Sequence, residues 1–502
     1  MSQPAPSNIT LVRSLGLTAA ISVNVANIIG TGIFLKTRVM TCNVGTPGKV
    51  LAVWVVAGLL SLAGALTYSE LTTMMPRAGG EYVFLREAYG ARWGFLFGWT
   101  QFLVARTGAQ AALAIGFATF LNILAGGALG ATYFKLHLLG LEIPIGHLQL
   151  VALAAIAITT TINCAAVSVS GNVASVLTAL KLLLVIGIGL GALFMADGSW
   201  SHFAMSNVGG SCDGVLSSAR GGIAGFVAAM LGALWAYDGW NNVAPVAGEV
   251  RNPSRNLPLA FIGGTLVVAA LYVFVNVAYY YALTPTEIAS VSTGSAVATE
   301  VVKRFLGPMA VSLIAAAMLT SSFGALHTSV LAGSRIPYAM SRDRLFFKNL
   351  STLSTKTHVP VRALMAQGVW AGLLALSGSY DTLTDYAIFA LWLFYGLTTA
   401  SVFVFRRKMP DAERPYRAWG YPVVPVLFLL VTLFLLITTF WSVSDGITEG
   451  FGAIGRGEII RGLILIIKLP PVAGIMLIVL GLPVYYYWSR HNRVAYIGEG
   501  AS

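Results

Sequence analysis

The stretch that decides the fold is Ile28-Ile29-Gly30-Thr31-Gly32-Ile33-Phe34. It lies inside an apolar run over residues 15–35, which is long enough to cross a bilayer as a helix. Two glycines and a threonine in the middle of this run weaken the helix and free backbone groups that hydrocarbon does not satisfy. A break at that depth has to line a protein-enclosed or water-filled cavity. Because free amides at the start of a half-helix favour an anion, we expect the break to hold a carboxylate.

The composition indicates a membrane protein. Of the 502 residues, 57% are hydrophobic and only 10% are charged, whereas soluble domains carry about 25% charged residues. The formal net charge is +12, but no cluster of Lys and Arg is interleaved with aromatic residues, so no nucleic-acid partner is expected. The basic excess is typical of a membrane protein that follows the positive-inside rule.

Apolar length predicts an all-α integral membrane protein with about twelve transmembrane helices. The partly apolar stretch 450–469 is too short to span and is expected at the membrane interface. The predicted spans cover residues 15–35, 50–75, 93–124, 148–167, 173–195, 222–247, 258–283, 308–338, 361–377, 386–405, 423–441 and 471–488.

Basic residues near the span ends predict the orientation. Lys and Arg are more numerous on the face that carries the N-terminus, for example in Arg406-Arg407-Lys408, than on the other face. Both termini are therefore expected in the cytoplasm. This topology places Cys42 and Cys212 outside, and the sequence leaves open whether they pair. No cysteine spacing indicates a zinc site, and neither a metal nor a cofactor is expected.

The sixth span carries a second interruption, Trp235-Ala236-Tyr237-Asp238-Gly239. A carboxylate in mid-span is costly and is usually functional, although Asp238 could instead serve as the cap of a second half-helix. Spans one and six hold equivalent places in two groups of five. Breaks at corresponding positions of two halves indicate a transporter with an inverted repeat.

Twelve short stretches along the chain form a recognisable set when they are taken together. They are Ile29-Gly30-Thr31-Gly32-Ile33-Phe34, Tyr68-Ser69-Glu70-Leu71, Gly79-Gly80-Glu81-Tyr82, Arg106-Thr107-Gly108-Ala109-Gln110, Phe117-Ala118-Thr119-Phe120, Ile162-Asn163-Cys164, Leu177-Thr178-Ala179-Leu180-Lys181, Ala236-Tyr237-Asp238-Gly239-Trp240-Asn241, Gly248-Glu249-Val250-Arg251-Asn252-Pro253, Arg255-Asn256-Leu257-Pro258, Ser334-Arg335 and Glu413-Arg414-Pro415. In this order they resemble the L-amino-acid transporter family of the amino acid–polyamine–organocation superfamily. The resemblance covers residues 15 to about 416, and it implies a five-plus-five inverted repeat with broken helices one and six and two extra helices.

The predicted organisation of the chain follows from this repeat. It comprises a cytoplasmic N-terminus at 1–14, a first repeat of spans one to five at 15–195, a second repeat of spans six to ten at 222–405, spans eleven and twelve at 421–490, and a cytoplasmic tail at 491–502.

Backbone groups at the two breaks form the predicted substrate site. Amides of the first break, with the Thr31 hydroxyl, suit the carboxylate of an α-amino acid, and unwound carbonyls at half-helix ends suit its ammonium. The alternative is that the glycines of span one only permit close helix packing. The predicted substrate-binding residues, of which Ile28 and those on span six are implied by the resemblance, are Ile28, Gly30, Thr31, Gly32, Ile33, Trp235, Ala236 and Asp238.

Two side chains receive a role from the resemblance. Trp235 matches the aromatic gate that closes the family's site from outside, although it could be an ordinary core or interfacial aromatic. Lys181 lies near the middle of the fifth span, where a buried ammonium needs carbonyl or carboxylate partners. By resemblance it replaces the sodium ion that bridges spans one and eight in sodium-coupled relatives, which implies sodium independence. The alternative is a lysine that faces a wet cavity without a coupling role.

Four residues are weaker candidates for the pocket wall. Ala109 falls where the family carries a small residue that faces the substrate side chain. Phe389, Trp392 and Tyr395 lie on span ten, where an aromatic stripe could equally be core.

The family often pairs with a single-span glycoprotein through a cysteine between spans three and four. The loop at 125–147 has no cysteine here, so no disulfide-linked heavy subunit is expected. Because no N-x-S/T site falls on the predicted outer face, we expect a bacterial stand-alone transporter of the inner membrane.

The sequence thus predicts a sodium-independent exchanger of neutral L-amino acids that works by alternating access. It is not expected to be an enzyme, because no nucleophile–His–carboxylate set lies at membrane depth. Three alternatives remain: a proton-coupled amino acid symporter that titrates Asp238 or Lys181, a carrier of cationic amino acids or polyamines that uses Asp238, and an amino acid receptor that does not transport.

Overall fold

The computed structural model describes residues 10–138, 141–293, 295–377, 380–441 and 443–491. The predicted terminal segments lie largely outside these residues. The helices and strands, in chain order, are α1 (Leu17–Ile28), α2 (Gly32–Val44), α3 (Pro47–Met74), α4 (Glu81–Tyr89), α5 (Ala91–Thr100), α6 (Arg106–Leu124), β1 (Thr132–Leu138), β2 (Leu141–Gly146), α7 (His147–Cys164), α8 (Val167–Met195), α9 (Gly222–Tyr237), α10 (Pro253–Pro258), α11 (Gly264–Ala282), α12 (Pro285–Ala289), α13 (Val297–Leu306), α14 (Met309–Gly333), α15 (Arg335–Arg342), α16 (Val361–Ser377), α17 (Tyr380–Lys408), α18 (Val423–Trp441), α19 (Ser444–Gly455), α20 (Ile459–Ile467) and α21 (Pro470–His491).

Short segments of tighter or wider helix join several of these elements. π-helical turns at Gln101–Ala105 and Leu259–Gly263 connect α5 to α6 and α10 to α11, so that each pair continues as one span. The 3-10 helices are Trp200–Ala204, Ser217–Ala219, Ala244–Glu249 and Lys348–Ser351.

The membrane fold is all-α, as predicted. Nine helical stretches of the described residues are long and apolar enough to cross a membrane, and the bent pair α1 and α2 makes a tenth. The other two predicted spans coincide with the shorter apolar helices α9 and α16. Within the described ranges the sheet consists of the antiparallel hairpin β1–β2, which lies between α6 and α7.

The first span extends beyond its predicted end at residue 35. α2 continues to Val44 because its polar side chains find partners inside the protein. The Thr37 hydroxyl donates to Asn276 Oδ1 on α11 at 2.7 Å. Arg38 is only 8% exposed and donates to the Asp213 carbonyl oxygen at 2.9 Å. Apolar length alone underestimates a half-helix whose polar groups are satisfied in this way.

The stretch predicted at the membrane interface forms the helical hairpin of α19 and α20. The two helices meet at Gly450 and Gly462, where a Cβ on Gly462 would lie 2.5 Å from the Gly450 carbonyl oxygen. Each helix is too short to cross a bilayer, and Ile459 and Ile460 are exposed. Interfacial placement of the hairpin stays a prediction.

The molecule has two distinct ends. We call the end at which α1 begins the N-terminal face, and the other end the opposite face. At the N-terminal face the backbone of Leu15 pairs with the segment after the sixth span, since Leu15 N donates to Glu249 O at 2.9 Å and Arg251 N donates to Leu15 O at 2.8 Å. At the opposite face a disulfide joins Cys42 to Cys212, which answers the question that the sequence left open.

Candidate binding site at the two broken helices

The first predicted break is present. α1 ends at Ile28 and α2 begins at Gly32, with a bend of 41° between them. The first amides of α2 have no acceptor within their own helix. Gly30 and Thr31 are half-buried, and a Cβ added to Gly30 would meet no atom within 4 Å. The break therefore presents amide donors beside open space.

The carbonyl groups of the first break are held by two neighbouring helices. Lys181 Nζ on α8 donates to Ala26 O at 3.0 Å and to Ile29 O at 2.5 Å, and this lysine is 1% exposed. Ser321 Oγ on α14 lies 3.0 Å from Ile29 O and 3.0 Å from Gly30 O. An ammonium from span five and a hydroxyl from span eight thus meet at one group of carbonyls. Ser321 was missed from the sequence, where one serine in an apolar span gives little signal.

The second break is also present, and it touches the first. α9 ends at Tyr237, and Gly239 adopts a left-handed φ of +102°. A Cβ on Gly239 would lie 2.8 Å from Asn27 O, and a Cβ on Gly32 would lie 2.7 Å from Ala236 Cβ. Glycine at both positions is what lets the two unwound backbones approach this closely.

Tyr272 on α11 connects the two breaks and was also missed. Its hydroxyl lies 3.1 Å from Ile28 O and 3.0 Å from Ala236 O, two of the carbonyls predicted to receive an ammonium. The side chain is fully buried and packs against Trp54, with ring centroids 5.1 Å apart. The sequence gives no reason to single it out from the other tyrosines of α11.

Trp235, the predicted gate, is 40% exposed. Lys36 Nζ lies 4.6 Å from the centroid of its ring, which is a cation–π distance. Residues 240–247, on the N-terminal side of the second break, are all buried. The described residues therefore close the site toward the N-terminal face more tightly than toward the opposite face.

The structure separates the four weaker candidates. The Tyr395 hydroxyl donates to Asp238 Oδ1 at 2.9 Å, which places Tyr395 at the second break. Trp392 packs beside Tyr395, with centroids 5.8 Å apart. Phe389 instead packs against Phe440 of α18 at 5.2 Å. Ala109 lies half-buried on α6.

One buried and one half-buried ion pair close the N-terminal face. Arg335 binds Glu249 with both ends of its guanidinium, Nε to Oε2 at 3.0 Å and Nη2 to Oε1 at 2.9 Å, and both side chains are 0% exposed. Glu70 accepts from Arg406 Nη2 at 2.7 Å and from the Ala418 amide at 2.6 Å. Such bidentate pairs are strong and geometrically specific.

Comparison with known proteins gives a consistent result. The sequence profile named amino acid permease matches residues 15–460. The chain is 33% identical to the b(0,+)-type amino acid transporter 1 of Mus musculus over 429 residues, which is 85% of this chain and 82% of the relative. It is 29% identical to the serine/threonine exchanger SteT of Bacillus subtilis (strain 168), over 96% of this chain and 98% of the relative. It is 30% identical to the large neutral amino acids transporter small subunit 2 of Homo sapiens, over 97% and 82% of the two chains.

Proposed function

This chain belongs to the amino acid permease family, and from that premise we propose that it exchanges neutral L-amino acids across a membrane by alternating access without sodium. The observation that carries the proposal is the direct contact of the two breaks, Gly32 against Ala236 and Gly239 against Asn27. Amide donors of one half-helix and carbonyl acceptors of two others lie within one small volume, and an α-amino acid needs both.

We assign the two charged ends of the substrate to different backbone groups. The amides of Thr31, Gly32 and Ile33 bind the α-carboxylate. The carbonyls of Ile28 and Ala236 bind the α-ammonium and exchange their hydrogen bond with Tyr272 for one with the substrate. Because every α-amino acid carries both groups, these contacts do not distinguish one substrate from another. The residues around Trp235 and Tyr395 determine which substrate side chains are accepted.

Sodium independence is supported by the contacts of Lys181. The ammonium lies against Ala26 O and Ile29 O, and Ser321 Oγ reaches Ile29 O and Gly30 O from α14. A fixed cation on these carbonyls supplies the positive charge that a sodium ion would bring between spans one and eight. The ammonium of Lys181 on span five therefore stabilises the first break without a bound sodium ion.

The two faces are assigned to compartments by the disulfide and by the basic residues. A stable disulfide is typical of an oxidising compartment, so we place the opposite face, with Cys42 and Cys212, outside the cell. The N-terminal face is then cytoplasmic, in agreement with its excess of Lys and Arg. In this assignment the structure is closed to the cytoplasm, and Trp235 moves over the substrate when the outer side closes.

We further propose that the protein works in a bacterial inner membrane without a disulfide-linked heavy subunit. Cys42 and Cys212 are bonded to each other. The third cysteine, Cys164, is free and ends α7 at the N-terminal face. An external partner would thus have to displace an existing disulfide to form its own.

Exchange is tested with purified protein in liposomes that contain one unlabelled amino acid. We expect uptake of labelled serine, alanine or leucine to rise at least about tenfold over empty liposomes for those amino acids that are substrates. Uptake driven by an imposed pH gradient into empty liposomes would instead indicate a proton-coupled symporter. Labelled efflux into amino-acid-free buffer as fast as exchange would contradict antiport.

A carrier of cationic amino acids is the second candidate, and one observation favours it. Asp238 places a carboxylate at the second break, with Oδ1 held by the Tyr395 hydroxyl. If this carboxylate binds a substrate cation, Asp238→Asn shifts preference from arginine to alanine. If the substrates are neutral, the same variant leaves the ratio of arginine to alanine uptake unchanged.

A further inference from the structure

A buried polar cluster lies between the second break and the N-terminal face, and the proposed function does not use it. Glu81, the first residue of α4, is 1% exposed, and its Oε1 accepts a hydrogen bond from the side chain of Asn241, just after the break. Tyr68 on α3 lies within electrostatic range of this carboxyl group. The cluster thus joins a loop helix to the moving part of span six.

Several atoms of this cluster have no hydrogen-bond partner among the described residues. They are Glu81 Oε2, Asn241 Oδ1, the Tyr68 hydroxyl and Arg106 Nε. Buried polar groups are normally paired, and an ionised carboxylate oxygen without a donor is especially costly. A proton on Glu81 Oε2 removes that cost, since it makes the group neutral and turns the unpaired oxygen into a hydrogen-bond donor.

The charges around Glu81 also favour a proton. Asp238 adds a second carboxylate within electrostatic range, and Arg106 supplies the guanidinium that opposes the two. If buried Glu81 and half-buried Asp238 both ionise beside the one guanidinium of Arg106, the three groups carry a net negative charge. The titratable or charged groups that face Glu81 are Tyr68 on α3, Arg106 on α6, Asp238 after α9, and Tyr395 on α17.

The helix that carries Glu81 bridges two parts of the protein. At its start, Gly79 N donates to Pro245 O at 3.0 Å, on the segment that follows the second break. Further along α4, Tyr82 donates to Asp343 Oδ2 at 2.7 Å and Arg86 binds the same carboxylate, at the end of span eight. If span six moves relative to span eight in alternating access, α4 cannot keep both contacts. Opening the N-terminal face therefore lets water reach Glu81.

We propose that Glu81 is a proton-binding site that holds the N-terminal face closed, taking up a proton when the face closes and releasing it to water on the same side when the face opens. On opening, the O–H bond breaks, its electron pair stays on the carboxylate, and the proton passes to water. Because uptake and release occur at one face, no proton crosses the membrane and a pH gradient drives no accumulation. The inference rests on the proposed alternating access.

The direction of the pH dependence follows from burial. Burial in the closed state raises the pKa of Glu81 to about 7, whereas the pKa of a hydrated glutamate is about 4.3. Between these values the closed state binds more protons than the open state, so lower pH stabilises closure. The ratio of open to closed molecules then rises by at most about tenfold per pH unit, and it levels off above the closed-state value.

Cys164 serves as the reporter of opening. It is the free cysteine of the chain, it lies half-buried at the N-terminal face, and it is within electrostatic range of Arg335, whose pair with Glu249 must part when that face opens. The full-length protein in liposomes is treated with a membrane-permeant maleimide from pH 5.5 to 8.5. Dividing the wild-type alkylation rate by that of Glu81→Gln at each pH removes the intrinsic pH dependence of the thiol.

We expect this ratio to rise at least about fivefold between pH 5.5 and pH 7.5, because Glu81→Gln mimics the protonated state and its opening does not respond to the titration of this group. A constant ratio overturns the proposal.

A second variant, Asn241→Leu, removes the donor that stabilises the carboxylate and should shift the midpoint of the pH profile to higher pH than in wild type. An unchanged midpoint also overturns the proposal. Glu300→Gln changes a half-buried carboxyl on the opposite face that pairs with Lys303, and it should leave the profile as in wild type.

Transport measured in the same liposomes separates the two proposals. If wild-type protein exchanges amino acids while the alkylation ratio stays constant, the proton site is wrong and the proposed function stands. If the ratio follows pH but no amino acid is exchanged, the gate responds to protons and the proposed function is wrong.

Discussion

Among single residues, Lys181 is the one whose replacement we expect to affect transport most. Replacement by methionine keeps an unbranched apolar side chain but removes the ammonium from Ala26 O and Ile29 O. A lost hydrogen bond to a charged group costs about 1.5–3 kcal/mol, so we expect exchange to fall at least about tenfold in Lys181→Met, measured as homo-exchange in liposomes. Lys303→Met removes an exposed lysine and should retain wild-type exchange. Wild-type activity in Lys181→Met would show that the first break does not need this cation.

The buried pair Glu249–Arg335 gives a second prediction at this scale. Both side chains are fully buried, and removing one partner leaves an uncompensated charge that costs about 3–5 kcal/mol. We therefore expect Glu249→Gln to lower the thermal unfolding temperature in detergent by several degrees. Glu287→Gln breaks an exposed pair with Arg304, worth about 0–1 kcal/mol, and is the matched control. Equal melting temperatures for both variants would contradict the closed face described here.

Among the helices, both breaks could be predicted from the sequence, but not all the side chains that form hydrogen bonds to them. Gly30, Gly32 and Gly239 interrupt apolar runs, and such interruptions can be recognised in the sequence alone. Tyr272 and Ser321, which contact the breaks, could not be predicted because the spans that carry them show no unusual sequence feature. The extent of α2 was also missed, since its polar residues find their partners on α11 and in a distant loop only after folding.

The first break also yields a matched pair of glycine substitutions. Gly32→Ala places a Cβ 2.7 Å from Ala236 Cβ, whereas Gly30→Ala meets nothing within 4 Å. Overpacking of this kind costs about 1–3 kcal/mol, so we expect Gly32→Ala to lower both thermal stability and exchange. Gly30→Ala should keep the wild-type melting temperature and raise KM, because its methyl group enters the open space beside the amides. Gly187→Ala on α8, also without neighbours within 4 Å, controls for helix propensity.

At the scale of the whole molecule, hydropathy predicted the number and order of the spans well. The exceptions, α9 and α16, are the shorter apolar helices, for which span length is a weak criterion. The pairing of Cys42 with Cys212 could not be derived, because 170 residues separate them and only the packed fold brings them together. The position of α4 against both span six and span eight is a long-range arrangement of the same kind.

The disulfide makes a prediction about the whole fold. It closes a long loop, and cross-links of this kind contribute about 2–4 kcal/mol, mainly by restricting the unfolded chain. We expect the double variant Cys42→Ser/Cys212→Ser to melt at a lower temperature than wild type in detergent. Cys164→Ser should melt like wild type, and a reductant should lower the melting temperature of Cys164→Ser but not that of the double variant. A double variant as stable as wild type would mean that the bond does not constrain the chain.

In the proposed function, two broken helices form an amino acid site that Lys181 braces in place of a sodium ion. The decisive measurement is the initial rate of amino acid exchange in liposomes, first with sodium chloride on both sides and then with choline chloride on both sides. We expect the same rate in both salts. A rate that falls about tenfold or more when sodium is removed would contradict this expectation.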